Sequence, residues 1–238
     1  MSRAEQSIKL NLERIVFIGR TFEEYVNMFS LSVDELKGKK VLDCPSGACS
    51  FTAVGNQIGL DVTACDIAYY HSTEDLKNKG LQDIEHTMEQ MEKSKGNFIW
   101  NYFENIEELR NHRLTALTDC TSHMKDSSDR YVPVTLPTLP FKDEEFDVIL
   151  SAHFLFMYAD RLDFGFHIKT LDELLRVSKN EIRIFPLVDL EGKRYKYLDD
   201  VINYLANQGC FVKEVKVPYE FQMNANLMLQ IKKAINVS

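Results

Sequence analysis

Asp43, Gly47 and Asp66 are the residues whose types and spacing point most directly to chemistry. They lie in the run KVLDCPSGACSFTAVGNQIGLDVTACD, residues 40–66. Val41 and Leu42 read as a buried strand, and a second apolar strand ends on Asp66. The turn from Cys44 to Ser50 leads into a helix whose free N–H groups can face a polar ligand. A carboxylate at the end of the second strand can accept two ribose hydroxyls, so this βαβ unit predicts a ligand that contains an adenosine.

Other side chains could take part in a reaction, and each has a plainer role open to it. His153 follows the strand FDVIL by three residues, and an imidazole titrates near neutrality, which suits a general base. It could equally be bonded to a neighbouring loop. Arg20 precedes a capped helix and can pair with a ligand carboxylate or with a surface acid. Tyr25 on the same segment is either a lid residue or a structural one. Tyr69 and Tyr70 either cover the ligand or are ordinary loop aromatics, and His71 reads as a helix-start residue.

Metal chemistry is not expected. No Asp, Glu and His set at ligand spacing follows the FDVIL strand, where Asp160 and Asp163 read as the polar start of a helix and residues 143–145 (DEE) as a solvated turn. The five cysteines form an odd set with no CxxC pair, which predicts reduced thiols rather than a disulfide framework or a zinc site.

The elements that must hold these groups can be traced along the chain. Thr21 and Glu24 form a capping box, after which Phe22, Val26 and Phe29 share a helical face. Residues 72–128 carry helical spacing at Leu81, Ile84, Met88 and Met91, and again at Ile106, Leu109 and Arg113. A crossover needs only a dozen or so residues, so this stretch predicts a helical insertion above the carboxyl edge of a sheet, as a substrate lid, a flank cover or a dimer contact. Strand signals return at residues 131–134, 146–150 and 181–185, with a helix burying Ile168, Leu171, Leu174 and Leu175 between the last two. A helix over residues 198–207 ends at Gly209, and two late strands, 210–217 and 227–231, are joined too briefly to be parallel. The β-α-β-α order predicts a mostly parallel sheet covered on both faces.

At 238 residues with 45% apolar content, the chain can build one full domain. The formal charge of −8 argues against an electrostatic grip on nucleic acid or an anionic membrane. With no apolar leader and no long apolar span, the expectation is a cytoplasmic protein whose partner is a small molecule, with a homodimer possible.

The run VLDCPSGAC, the acid Asp66, and LPFKDEEFDVIL followed by SAHFLFMY resemble the class I S-adenosylmethionine-dependent methyltransferases, in particular the small-molecule, type 11-like group. The resemblance covers residues 40–186. It implies an α/β, Rossmann-like, doubly wound and mostly parallel sheet with a C-terminal antiparallel strand pair. It also implies a single methyltransferase domain over 1–238, with the N-terminal helical segment 1–38 and the insertion 72–128 outside the shared part. The implied cofactor is S-adenosyl-L-methionine and the implied reaction is methyl transfer to a small-molecule acceptor. By the same resemblance Asp43 holds the methionine end, Gly47 is the central glycine of a loop that includes Pro45, Ser46 and Ser50, and Asp66 binds the ribose. Ser151 lines the cleft. Outside what the resemblance carries, backbone groups around Leu136 and apolar contact with Ile67 can hold the adenine in place of the family's acid, and Arg20 can reach the cofactor carboxylate if the N-terminal helix folds over the cleft.

Two departures matter. Where that family carries GxGxG, this chain has Pro45, Gly47 and Cys49. Such a loop suits a ligand without phosphates better than a dinucleotide, which needs close backbone approach and several free N–H groups. Thr135 stands near the position of an acid that bonds adenine in many relatives. Both an active methyltransferase and a cofactor-binding protein without turnover, or a partner subunit, are consistent with this loop.

Overall fold

The computed structural model describes residues 16–234. Of the expected N-terminal helical segment, residues 1–15 lie outside that range. Seven strands form one sheet: β1 (Lys40–Asp43), β2 (Asp61–Asp66), β3 (Tyr131–Pro133), β4 (Phe146–Ala152), β5 (Ser178–Phe185), β6 (Phe211–Lys216) and β7 (Leu227–Lys232). Their order is β3-β2-β1-β4-β5-β7-β6. Neighbours are parallel from β3 to β5, while β7 runs antiparallel to both β5 and β6. The expected fold class holds, including the late antiparallel pair.

Helices cover both faces because successive strand residues point to opposite sides. Val41, Val62 and Val148 enter a core shared with α1 (Phe22–Met28), α3 (Phe51–Gln57), α4 (Thr73–Lys93) and α5 (Ile106–Asp126). Leu42 and Ile149 enter a second core with α6 (Phe164–Val177) and α7 (Leu198–Asn207). A one-turn helix, α2 (Val33–Leu36), leads into β1.

Three helical faces differ in detail from the sequence reading. On α4 the buried line is Leu76, Gly80, Ile84 and Met88, and Leu81 is 41% exposed. Gly80 sets that line, since a Cβ there would stand 2.5 Å from Leu117 Cδ1 on α5. On α1, Tyr25 and Met28 are buried beside Phe22, and Val26 is half-buried. On α6, His167 and Thr170 are buried whereas Ile168 and Leu175 are only partly covered, because the His167 ring is held between the Tyr195 hydroxyl and the Leu155 carbonyl.

Both long helices of the β2–β3 crossover, α4 and α5, pack against each other, and α5 also lies on α3. No helix among the described residues is long and apolar enough to cross a membrane.

Candidate functional site

The strand order reverses between β1 and β4, which is where an open parallel sheet leaves a crevice at its carboxyl edge. Asp43 ends β1 and Asp66 ends β2 beside it. One carboxylate oxygen of Asp66 accepts the Gly47 N–H at 2.8 Å, and the other accepts the Ala68 N–H at 2.8 Å. Gly47 makes this possible with φ +57°, a left-handed conformation that costs glycine little. Burial pushes the Asp66 carboxyl pKa up, and the backbone N–H bonds offset part of that rise.

Asp43 is fully buried and accepts hydrogen bonds from the Tyr25 hydroxyl at 2.9 Å and the Ser46 hydroxyl at 2.7 Å. Burial raises its pKa to about 7, against the two hydroxyl bonds and with the nearby charge of Asp66 adding to the rise.

The chain itself covers this crevice. Residues 17–20 form a strap across the β1–α3 loop: the Ser50 N–H donates to the Arg20 carbonyl at 3.0 Å, and the Arg20 N–H donates to Cys49 Sγ at 3.3 Å. Gly19 is what allows this, since a Cβ at that position would fall 1.9 Å from the Ala48 carbonyl oxygen. Tyr25 stacks on Phe51 with ring centroids 5.0 Å apart, and the Tyr69 hydroxyl donates to the Gly47 carbonyl at 2.8 Å. Cys120 of α5 sits over the same carbonyl at 3.9 Å. The sequence reading has Asp66 facing a ribose. Here each of its oxygens accepts one backbone N–H, and the side chain is buried, beside a Gly47 carbonyl that Tyr69 holds and Cys120 faces.

A buried ion pair locks the cover down. Arg113 of α5 donates to both carboxylate oxygens of Glu24, at 2.6 and 2.9 Å. Glu24 also accepts from the Tyr219 hydroxyl at 2.8 Å and from the Thr21 N–H at 2.9 Å, completing the capping box. Burial opposes the Glu24 charge, but the charge and hydrogen bonds of Arg113 outweigh it and hold the pKa down at about 2. From the sequence Glu24 is expected only in the capping box and Arg113 only on a helix face. A lone arginine in an apolar helical stripe was the available signal that a buried acid must lie opposite.

Beside the covered crevice lies a pocket of about 460 Å³ that includes Arg20, His153, Phe98, Met157, Tyr219 and Phe221 in its wall. His153 follows β4 directly and has φ +51°, an uncommon backbone conformation for a residue with a side chain. Its ring nitrogens lie 3.1 Å from Met157 Sδ and 3.2 Å from Met28 Sδ. Burial, reinforced by the positive charges of Arg20 and Arg113, holds its pKa well below the usual imidazole range, so the ring is neutral at pH 7.

Of the expected site residues, Asp43, Ser46, Gly47, Ser50 and Asp66 do converge at the sheet edge, and Arg20 and His153 share the pocket. The Ser50 hydroxyl is buried there with no hydrogen-bond partner, and Pro45 lies in the same loop, half-buried. Ser151 is set apart: it is buried inside β4 opposite Ile184 and does not line the pocket. Ile67 starts a short 3-10 turn, Ile67–Tyr70, and Leu136 packs on the second core. Tyr70 is exposed, so only Tyr69 covers the loop. Asp163 caps α6 as expected. All five cysteines are free, and among the described residues no group of three or more His, Cys, Asp or Glu is placed to hold a metal ion.

No family model matches the chain. It is 37% identical over 226 residues to the uncharacterized protein MJ0045 of Methanocaldococcus jannaschii, covering 94% of this chain and 99% of that one. In structure it is similar to magnesium protoporphyrin IX methyltransferase ChlM of Synechocystis PCC 6803 with bound SAH, with a TM-score of 0.51 at 10% identity over 90% of this chain and 83% of that one. It is also similar to mitomycin 7-O-methyltransferase MmcR, with a TM-score of 0.50 at 15% identity over 90% of this chain and 54% of that one. These likenesses show the fold, that of the class I methyltransferases.

Proposed function

We propose that this chain, which belongs to the same family as MJ0045 of Methanocaldococcus jannaschii and has the class I methyltransferase fold, binds S-adenosyl-L-methionine and methylates a small molecule. The observation that carries the reading is the convergence of Asp66, Gly47 and Asp43 at the carboxyl edge of β1 and β2. The residues fit the group. Asp66 keeps lone pairs for ribose hydroxyls after accepting its two backbone bonds, Asp43 suits the methionine ammonium, and the Ser50 hydroxyl is buried without a partner. Ile67 and Leu136 are assigned to the adenine faces and Pro45 and Ser46 to the surrounding wall, while Ser151 stays inside β4 beneath the site. A loop with one glycine serves a ligand that has no phosphates. The methyltransferases whose fold it shares act, by their names, on a porphyrin and a mitomycin, which supports a small-molecule acceptor. The formal charge of −8 points the same way.

When bound, the cofactor supplies a sulfonium methyl group for in-line displacement, a reaction governed by alignment. This chain contributes the alignment and the dryness of the pocket. His153, neutral at pH 7, is assigned to take the proton from an acceptor hydroxyl or amine and pass it to solvent. For a ligand to reach Asp66, the Gly19 strap and the Tyr69 ring must withdraw, so the N-terminal segment and the turn that follows β2 act together as a lid.

The same closure favours a second reading, a protein of this fold that performs no transfer. Incubation with S-adenosyl-L-methionine carrying a labelled methyl group and a metabolite extract separates the two. Label moving into a small molecule supports transfer. Cofactor retained on the protein with no product supports the second reading.

A further inference from the structure

The wall of the 460 Å³ pocket is mostly apolar and aromatic, with Phe98 and Phe221 stacked at 4.9 Å between centroids. One charge in it is unbalanced. Glu191 is paired with Lys193, and the two buried charges behind the wall, Glu24 and Arg113, cancel each other. Arg20 is different: its Nε is buried with no hydrogen-bond partner, and among the described residues its guanidinium forms no ion pair. It shares the pocket wall with His153, and its positive charge adds to what lowers the pKa of Glu24 and of His153. A half-buried guanidinium with no partner at the edge of an apolar cavity is a ready counter-charge for an anionic ligand.

We infer that the methyl acceptor is an aromatic monoanion, a flat ring carrying one carboxylate, with that carboxylate on Arg20 and the ring among Phe98, Tyr219 and Phe221. This rests on the proposed function above, in which the pocket holds the acceptor. A guanidinium matches a carboxylate in two-pronged geometry, and aromatic walls favour a flat ring. A single free cation with the Glu191 carboxylate in the same wall suits one negative charge and disfavours a phosphate. The assignment also moves Arg20 from the cofactor carboxylate to that of the acceptor. The Arg20 side chain lines this pocket, whereas Asp43, Gly47 and Asp66 do not.

Calorimetric titration of the full chain with 3-phenylpropionate and with its uncharged amide tests the inference. Trp100 provides a second readout, being the one tryptophan in the chain and lying 5.3 Å from the Phe221 ring. The acid is expected to bind at least about tenfold more tightly than the amide and to change Trp100 emission. In Arg20→Gln that preference disappears, in Arg20→Lys it is partly kept, and S-adenosylhomocysteine binding is unchanged in both. Equal binding of acid and amide, or no binding of either, overturns the inference. So does an Arg20→Gln loss that falls on S-adenosylhomocysteine instead, which would return Arg20 to the cofactor. Acid binding in a protein that takes up no S-adenosylhomocysteine would leave Arg20 as an anion site and defeat only the methyltransferase reading.

Discussion

Glu24 and Arg113 stand 89 residues apart in sequence and form a two-pronged ion pair with both side chains almost fully buried, at 0% and 2% exposure. The pair joins the N-terminal helix to the insertion directly behind the pocket, with Tyr219 bonded to the same carboxylate. Removing one partner strands the other charge away from water. Arg113→Leu is therefore expected to cost about 3–5 kcal/mol of unfolding free energy, and the double variant Glu24→Leu/Arg113→Leu markedly less than the two single losses added. Urea unfolding of the three variants measures this, and strictly additive losses would show that the pair does not act as a unit.

Asp43 links stability to pH. Its pKa rises from an ordinary 3.8 to about 7 in the folded chain, chiefly through burial, so the folded state holds a proton that the unfolded chain releases. The stabilisation is complete below about 3.8 and is lost as pH climbs through about 7. Glu24 works in the opposite direction in a separate window, since its pKa is held at about 2 and its contribution disappears only in strong acid. Between pH 4 and 7 the wild type should lose stability relative to Asp43→Asn, on the order of a few kcal/mol across the window. Denaturation midpoints at a series of pH values test this, and parallel curves for the two proteins would contradict it.

Gly19 and Ala48 touch backbone to backbone, leaving no room for a methyl group. Gly19→Ala must lift the strap, at a cost of about 1–3 kcal/mol. Hydrogen exchange at the Ser50 amide, which donates to the Arg20 carbonyl, should quicken in that variant. An unchanged Ser50 rate would mean that the strap does not depend on this contact.

His153 adopts φ +51°, a conformation that asparagine tolerates better than most residues. His153→Asn should fold with stability within about 1 kcal/mol of wild type while the rate of methyl transfer falls by about 10²–10⁴. A full rate in a folded His153→Asn protein removes the imidazole from the reaction.

Much of the sheet could be read in advance because its signals are local. In FDVIL the apolar residues 148–150 run on without a polar break, as a strand buried on both faces requires, and Asp66 closes its strand with an acid that has no reason to be there in a plain core. The sequence also brought Arg20 and His153 forward, and the structure puts them in one pocket. Tyr25 and Tyr69 stand among the covering residues the sequence offers, but the contacts that close the cover join distant segments. Gly19 against Ala48, Tyr25 on Asp43 and Tyr69 on Gly47 leave no periodic trace. Leu81 misled for a related reason: the helix crossing at Gly80 and Leu117 rotates the buried line, and a glycine adds nothing to an apolar count.

On the proposed function a nucleoside sulfonium lies on Asp66 once the strap withdraws. Isothermal titration of S-adenosylhomocysteine into wild type, Gly19→Ala and Asp66→Ala decides whether it does. Saturable 1:1 binding is predicted, tighter in Gly19→Ala because less of the closure must be undone, and weaker in Asp66→Ala by about 1.5–3 kcal/mol, the worth of a charge-assisted hydrogen bond. Absence of binding in both the wild type and the loosened Gly19→Ala protein would rule out cofactor binding at Asp66.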